Sequence, residues 1–403
     1  MKKISLIFII FLLMINCLIV NIQATEGENL QEDTAGNVEL VEKAGNTIDT
    51  KAKVIKAGEK KEIVTGTIKD IVQEVTIKIT EGEYKGEEYT TNYVLSYDID
   101  GKIVAYELKE GNRVIVQLNE DENGTITATV QEIERYGYIL VMFLLFLLSI
   151  VLIAKKQGVK AILGLLVTIL AIYFILIRGI YEGANAIWLS ILTSMVIIVL
   201  TFFIIGGISK KIVTAAIGTL GGVVSAGIVA IIFNYLAKMS GACEDAIQLS
   251  INMKTVNFDF KDLLFAGIII ASLGACMDVG MSIASSLDEI KNKTKTIDWK
   301  ELFKSGMNIG RDIIGTMTNT LILAYVGGSI TLILLFMACN MNIQEILNKE
   351  AIAEEVISAI AGSMGVVYTV PITSFVYAIL NRNKTVYKTT SENIIDGKRS
   401  LKL

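Results

Sequence analysis

The sequence predicts a mostly α protein: a polytopic helical membrane bundle of about seven spans with a small N-terminal extracytoplasmic β-barrel-like domain. Three observations predict this class. Hydrophobic residues make up 52% of the 403 positions and charged residues only 19%, below the roughly 25% that is usual in soluble domains. The charges are sorted into short blocks between long apolar runs. Before about residue 135, polar and apolar residues instead alternate with a period of two, which is typical of strands.

The N-terminus resembles an export signal. Lys2 and Lys3 precede an apolar run over positions 4–20, and Ala24 is a small residue suited to cleavage. Residues 1–24 are therefore predicted to be a signal peptide or, if they are not cleaved, a signal anchor. Residues 25–60 are rich in Glu, Asp, Lys, Asn, Gly and Thr, so we expect a flexible polar tether there.

Residues 61–135 are predicted to form the small β domain, a barrel or sandwich of six short antiparallel strands. The alternating positions lie in residues 63–67, 75–79, 89–93, 103–107, 114–118 and 126–130. Asp100-Gly101 and Asn123-Gly124 are dipeptides favoured in hairpin turns. Residues 108–111 are expected to form a polar bend before the fifth strand.

Residues 136–385 contain seven apolar runs, each near the length of about 20 residues that crosses a hydrocarbon layer about 30 Å thick. The runs are 138–154, 159–177, 186–205, 213–236, 263–286, 313–338 and 356–380. With the β domain outside, the inside connections hold seventeen lysines and arginines and the outside connections five. This asymmetry follows the positive-inside rule and places the tail, residues 386–403, in the cytoplasm.

The absence of histidine excludes several kinds of chemistry. Zinc sites of the HExxH type and Ser-His-Asp triads both need this residue. The four cysteines show no CxxC spacing and are interpreted as small apolar fillers. No basic patch lies outside the connecting loops, which argues against nucleic acid as a partner. We expect no cofactor, no metal ion and no enzymatic activity.

Asp278 is the most informative residue inside the spans. A charge near the bilayer centre costs about 2.5–3.5 kcal/mol on insertion scales, so it persists only with a partner, with water or for a function. Ser282 and Ser285 follow at i+4 and i+7 on the same helical face. The sixth span repeats this spacing at Asp312, Thr316 and Asn319. Two facing stripes would form one polar seam.

Arg311 is expected at the inner membrane interface, where it would pair with Asp312 or Asp278, or extend to the lipid headgroups. Just before it, residues 299–306 are expected to form a short amphipathic helix that lies flat on the inner leaflet. In the fourth span, Gly218, Gly222 and Ala226 form a row of small residues that lets another helix approach closely.

Helix breaks are predicted at Gly327 and Gly328 in the sixth span and at Pro371 in the seventh. Thr369 and Thr373 flank the proline and would satisfy the backbone groups that it frees. Broken helices near mid-membrane are a recurrent way to build an ion or solute site. A kink that serves packing alone is the alternative.

Three strings in these spans resemble the YibE/F-like family of bacterial integral membrane proteins: DLLFAGIIIASLGACMDVGMSIASSL, MNIGRDIIGTMTNTLILAYVGG and AGSMGVVYTVPITS. The likeness covers residues from about 60 to 385. The matching motif positions are Asp278, Ser282, Gly310, Arg311, Asp312, Thr316, Asn319 and Pro371. The resemblance implies a multi-pass protein of the bacterial cytoplasmic membrane with an extracytoplasmic barrel-like segment, and it implies no established activity.

The polar groups in spans five to seven favour a permease or channel for a small polar solute or ion, embedded in the lipid bilayer. The lining residues would be Asp278, Ser282, Ser285, Thr316, Asn319, Thr369 and Thr373, with Arg311 and Asp312 as an inner gate pair. One alternative is a non-transporting scaffold or sensor whose β domain binds a ligand or partner. A hydrolase using Asp278 and Asp312 would need both acids at a similar depth. The rows of small residues permit a homo-oligomer or a companion membrane protein.

Overall fold

The computed structural model describes residues 47–65, 68–95, 106–120, 125–252, 259–294 and 296–382. The chain divides into two compact units, Met1–Leu140 and Val141–Leu403. The predicted signal segment at 1–24, the tether up to residue 46 and the tail at 386–403 lie outside the described residues, and so do both predicted hairpin dipeptides.

The N-terminal unit is an antiparallel sheet whose described strands follow the order β3-β2-β1-β4-β5. The strands are β1 Thr47–Thr65, β2 Ile68–Ile79, β3 Glu88–Leu95, β4 Arg113–Glu120 and β5 Ile126–Ile133. The edge strands β3 and β5 also contact each other. The sheet is therefore curled into a half-barrel, and the predicted barrel-like domain is confirmed.

Apolar side chains fill the inside of the curled sheet at alternating positions. In β4, Val114, Val116 and Leu118 are buried, as the period of two predicts. The 19-residue β1 has register shifts between Val54 and Lys56 and between Ala57 and Lys60. Such bulges bend a strand and increase its twist. The bend lets β1 pair with β4 through its first residues and with β2 through the rest.

Two predicted boundaries in this unit differ from the structure. Strand β1 begins at Thr47, so residues 47–60 belong to the sheet and not to a tether. The bulges interrupt the alternation there, and Ala52 and Val54 are the main buried apolar residues in a segment with four lysines. The predicted strand at 103–107 falls mostly outside the described residues, and Tyr106 and Glu107 are not in a strand.

The second unit is built from helices. They are α1 Tyr136–Ala171, continued by a π-helical segment Ile172–Ile177 and by α2 Arg178–Tyr181, then α3 Ala186–Gly206, α4 Lys210–Leu236, α5 Glu244–Asn252, α6 Phe260–Lys293, α7 Trp299–Ala338, α8 Ile343–Leu347 and α9 Glu350–Leu380. In the described part of the chain, six segments are long and apolar enough to cross a membrane: Tyr136–Tyr181, α3, α4, α6, α7 and α9.

The first of these segments contains both the first and the second predicted span. It has 46 residues, so a straight helix would be about 69 Å long, more than twice the hydrocarbon thickness. The helix is interrupted at Lys155, whose φ is 51° and ψ −124°. A Cβ built on Gly158 would lie 2.5 Å from the Ile150 carbonyl oxygen, although residues eight apart in a straight helix are about 12 Å apart. The segment therefore bends sharply into two arms.

Helix α9 packs against α4, α6 and α7, and α6 also packs against α3 and α4. The small residues of α4 make the predicted close approach, and their partner is α9. Gly218 and Gly222 lie directly against Thr373 and Thr369. At the same end of this helix pair, Lys210 Nζ donates to the Leu380 carbonyl oxygen at 3.0 Å.

The predicted flat helix at residues 299–306 is wrong. These residues are the first turns of α7, which continues without interruption for 40 residues. Gly306 packs on Ser374 of α9, and the ring of Phe303 lies edge-on to that of Phe375 with centroids 6.3 Å apart. The apolar face of residues 299–306 thus contacts α9. A helix that lies on lipid has the same spacing of apolar residues, so the sequence alone does not distinguish the two cases.

Candidate functional site

The polar stripe of α6 lies on the outside of the helical unit. Asp278 and Ser282 are exposed and Ser285 is half-buried, whereas Cys276 and Gly280 are buried on the opposite side. Positions two residues apart point about 200° apart around a helix, which separates the two sides. The Asp278 carboxylate makes no hydrogen bond or ion pair with any described residue.

Helix α7 carries a second exposed stripe. Arg311, Asp312, Thr316 and Asn319 are exposed, while Gly310 is buried against α9. The Thr316 hydroxyl donates within its own helix to the Ile313 carbonyl oxygen at 3.0 Å. Within the described residues, no hydrogen bond joins this stripe to that of α6. A single copy of the chain therefore does not form the predicted seam.

The predicted gate pair between Arg311 and Asp312 is not formed either. Arg311 Nη1 donates to the Asn308 side-chain oxygen at 3.2 Å, and the ion pairs of the described residues do not include Arg311. Adjacent residues of a helix point about 100° apart and do not face each other. Both charges are thus without an ion-pair partner among the described residues.

The three ionisable side chains lie at the same level of the bundle. Cys276, two residues before Asp278, packs against Gly365, and Gly310, just before Arg311, packs against Val370. Val370 is ten residues before the end of α9, or about 15 Å along its axis. Residues 299–310 thus precede Arg311 in the part of α7 that packs on α9, and its position at the membrane interface stays a prediction. The same geometry gives Asp278 and Asp312 the similar depth that a hydrolase needs, but no contact joins their carboxylates.

Thr369 and Thr373 do not share a surface with Asp278. Both are fully buried between α9 and α4, on the core side of α6. Thr369 Oγ1 donates to the Gly365 carbonyl oxygen at 2.8 Å, not to the Val367 carbonyl, to which Pro371 has no N–H to donate. Their predicted place on a common path with Asp278 is therefore not what the structure shows. A threonine in an apolar helix can contact either a core or a path, and the sequence alone does not separate the two.

The predicted helix breaks are absent from the described backbone of α7 and α9. Helix α7 runs through Gly327 and Gly328, and α9 runs through Pro371. Glycine costs only about 0.5–1 kcal/mol relative to alanine in a helix. An unsatisfied backbone group in hydrocarbon costs several kcal/mol. The helix is thus the favoured backbone at the glycine pair.

One cavity was not predicted. It has a volume of about 250 Å³ and lies between α7 and the first half of α9. Its wall is mostly apolar, but Tyr325, Ser329 and Glu355 contribute polar groups. The neighbouring Glu354 has a buried carboxylate oxygen with no hydrogen-bond partner among the described residues. The packing of α7 on α9 creates this cavity, and residue spacing within one helix does not reveal it.

The described residues contain no group of three or more His, Cys, Asp or Glu side chains that could hold a metal ion. The stripes thus offer carboxylates, one guanidinium, hydroxyls and one amide as possible contacts for a ligand.

Comparison with known families agrees with the bundle and the sheet. The family model described as YibE/F-like protein matches residues 142–383. The chain belongs to the YibE/F-like family. The model for the YibE/F family N-terminal domain matches residues 47–133, which agrees with a β unit that begins at Thr47. No curated protein and no solved structure matches the chain. The protein is thus an integral membrane protein of this family.

Proposed function

We propose that this YibE/F-like protein is a permease or channel for a small polar solute or ion. The observation that supports the proposal is the position of Asp278, Arg311 and Asp312. All three are level with one turn of α9, all are exposed on the outside of the helical unit, and none forms an ion pair with a described residue. Facing hydrocarbon, each would cost about 2.5–3.5 kcal/mol. This side of the bundle must therefore face water or protein.

The proposed path follows the exposed stripes of α6 and α7. Asp278 is the binding or coupling carboxylate, and the oxygens of Ser282, Thr316 and Asn319 replace part of the hydration shell of the solute. Ser285, half-buried on α6, continues the path toward the C-terminal end of that helix. Thr369 and Thr373 belong to the packing of α4 on α9 and are not part of the path.

We further propose that the protein lies in the bacterial cytoplasmic membrane with the β domain outside and the C-terminus inside. The lysine and arginine asymmetry of the connections supports this orientation. Lys210 lies at the same end of the bundle as the C-terminus of α9. That end also carries Lys291 and Lys293 in the last turn of α6.

Flux through proteoliposomes tests the proposal. The probes are protons, followed with an internal pH dye under an imposed potential, and radioactive sodium and rubidium ions. At least one flux should exceed that of protein-free liposomes, and Asp278→Asn should lower it about ten-fold or more. The matched control is Gly274→Ala, one turn earlier on the same exposed face, where a Cβ meets no atom within 4 Å. It should retain the flux.

A flux that Asp278→Asn leaves unchanged would contradict the assigned path. The absence of any flux above that of protein-free liposomes, with the protein folded and inserted, would contradict transport of these ions and favour the scaffold or sensor.

A further inference from the structure

The exposed face of α7 has the properties of an uncovered contact surface. Among the glycines inside helices α3 to α9, five have no atom within 4 Å of a built Cβ, and all lie on α6 or α7: Gly267, Gly274, Gly315, Gly327 and Gly328. Every other glycine in these helices packs against a neighbouring residue. Glycine inside a membrane helix typically marks close helix packing. These two helices therefore present packing surfaces that the described residues do not cover.

The shape of this face suits another helix. Thr316, Thr320 and Ala324 are all exposed and recur every four residues. A row of small residues at this spacing lets two membrane helices approach closely and cross at about −40°. Gly315 lies beside the row with open space around it.

The charges on this face identify the occupant. Arg311 and Asp312 are adjacent, opposite in sign and both exposed, and in one copy they do not pair with each other. Copies of a membrane protein insert in one orientation, so a twofold axis between them runs along the membrane normal. Across such an axis, residue i meets residue j of the other copy and j meets i. Arg311 of each copy then meets Asp312 of the other at one depth.

Other occupants fit these charges less well. Lipid tails would leave both charges unpaired in hydrocarbon, which is strongly unfavourable. A companion protein would need its own pair of opposite charges inside a span and at this same depth, and such residues are rare in spans. A second copy supplies the pair by symmetry.

We propose that the α7 face of one copy docks on the α7 face of a second copy, with two reciprocal ion pairs between Arg311 and Asp312, and that the polar path is closed only in this dimer. The claim that the dimer closes the path rests on the proposed function, whereas the claim that the protein forms this dimer does not. Thr316 and Asn319 of both copies then face one another across the axis, which completes the seam that one copy leaves open.

Charge exchange between two tagged chains tests the dimer. Arg311→Asp alone places two acids on each copy, and Asp312→Arg alone places two bases on each copy, so each variant should lose its homodimer about ten-fold or more. When the two variants are co-expressed with different tags, every acid meets a base. Pull-down of one tag should then recover the other variant at the wild-type level. Because this rescue needs both chains, a folding defect in either variant cannot imitate it.

Disulfide crosslinking in membranes gives a second, independent measurement. In a chain with Cys17, Cys243 and Cys339 replaced by serine, Leu323→Cys on the exposed side of α7 should crosslink two copies upon mild oxidation. Val224→Cys on α4 is the matched control, since its side chain is similarly exposed, at 55% against 61% for Leu323. It should not crosslink.

The outcomes separate the two proposals. Three results would each overturn the dimer. These are homodimers of both charge variants at the wild-type level, equal crosslinking at the two cysteine positions, and pull-down of a different membrane protein in place of the second variant. A dimer that rescues as expected but carries no flux overturns the transport proposal alone. Asp278-dependent flux by a chain that stays monomeric overturns the shared path alone.

Discussion

The close contact between α4 and α9 can be tested by replacing Gly222 with alanine. A Cβ at this position would overlap the Thr369 hydroxyl and lie 2.8 Å from the Gly365 carbonyl oxygen. The hydroxyl is held in place because Thr369 Oγ1 donates to that same oxygen at 2.8 Å. It can rotate away only if this hydrogen bond breaks. Gly222→Ala therefore forces the helices apart or disrupts the bond.

The magnitude follows from three opposing effects. Overpacking a well-packed interior costs about 1–3 kcal/mol, and loss of the hydrogen bond costs about 0.5–1.5 kcal/mol. Alanine recovers about 0.5–1 kcal/mol of helix propensity. We expect a net destabilisation of about 1–3 kcal/mol. The matched control is Gly267→Ala in α6, where a Cβ meets no atom within 4 Å. Gly267→Ala should stabilise the fold by about 0.5–1 kcal/mol, because alanine has the higher helix propensity and meets no steric overlap there.

Cys276 provides a natural reporter for this contact. Its thiol is fully buried and packs against Gly365. In a chain whose other three cysteines are serine, a thiol-reactive fluorophore should label Cys276 only when the bundle opens on heating. For a unit of this size, 1 kcal/mol corresponds to about 2–4 °C in the midpoint. Gly222→Ala should thus lower the midpoint by several degrees. Equal midpoints for the two glycine variants would refute the close approach.

Two further predictions concern the β unit. Gln73 is buried, and its side chain donates to the Leu108 carbonyl oxygen at 2.9 Å and accepts from the Leu108 N–H at 3.0 Å. Gln73→Leu should therefore lower the free energy of unfolding in urea by about 2–4 kcal/mol. The control Gln117→Leu, at an exposed hydrogen-bonded pair, should lower it by under about 0.5 kcal/mol. Burial and a hydrogen bond to the Glu87 carboxylate raise the pKa of Tyr89 to about 12. A raised pKa means that the protonated phenol stabilises the fold. This stabilisation by Tyr89 should be complete below the ordinary pKa of 10.0 and should be lost as the pH rises to about 12. Tyr89→Phe should abolish that loss in an alkaline unfolding series, and an unchanged series would contradict it.

The architecture could be predicted because it follows from properties of short segments. Apolar length identifies membrane spans, and alternation identifies half-buried strands. The errors occurred where the deciding contact lies elsewhere in the chain. Bulges concealed the first residues of β1, and the contact of Phe303 with Phe375 turned an expected surface helix into the start of α7. Neither contact is encoded in the local periodicity.

The candidate site could be predicted only one helix at a time. Spacing correctly groups Asp278 with Ser282 on α6 and Asp312 with Thr316 on α7, because each pair lies on one exposed face. It does not show what that face contacts. Thr369 has the composition expected of a path residue, yet it lies in the core between α9 and α4.

Depth is a further property that segment boundaries fail to give. Arg311 was expected near the interface because the apolar run begins just after it, at residue 313. Packing of Gly306 on Ser374 and of Gly310 on Val370 places Arg311 nearly three helical turns before the end of α9. From that level, the end of α9 is about 15 Å away along the helix axis, which is farther than a lysine or arginine side chain can reach. A guanidinium in this position needs a fixed counter-charge or water, so the energetics of the site depend on which surface covers α7.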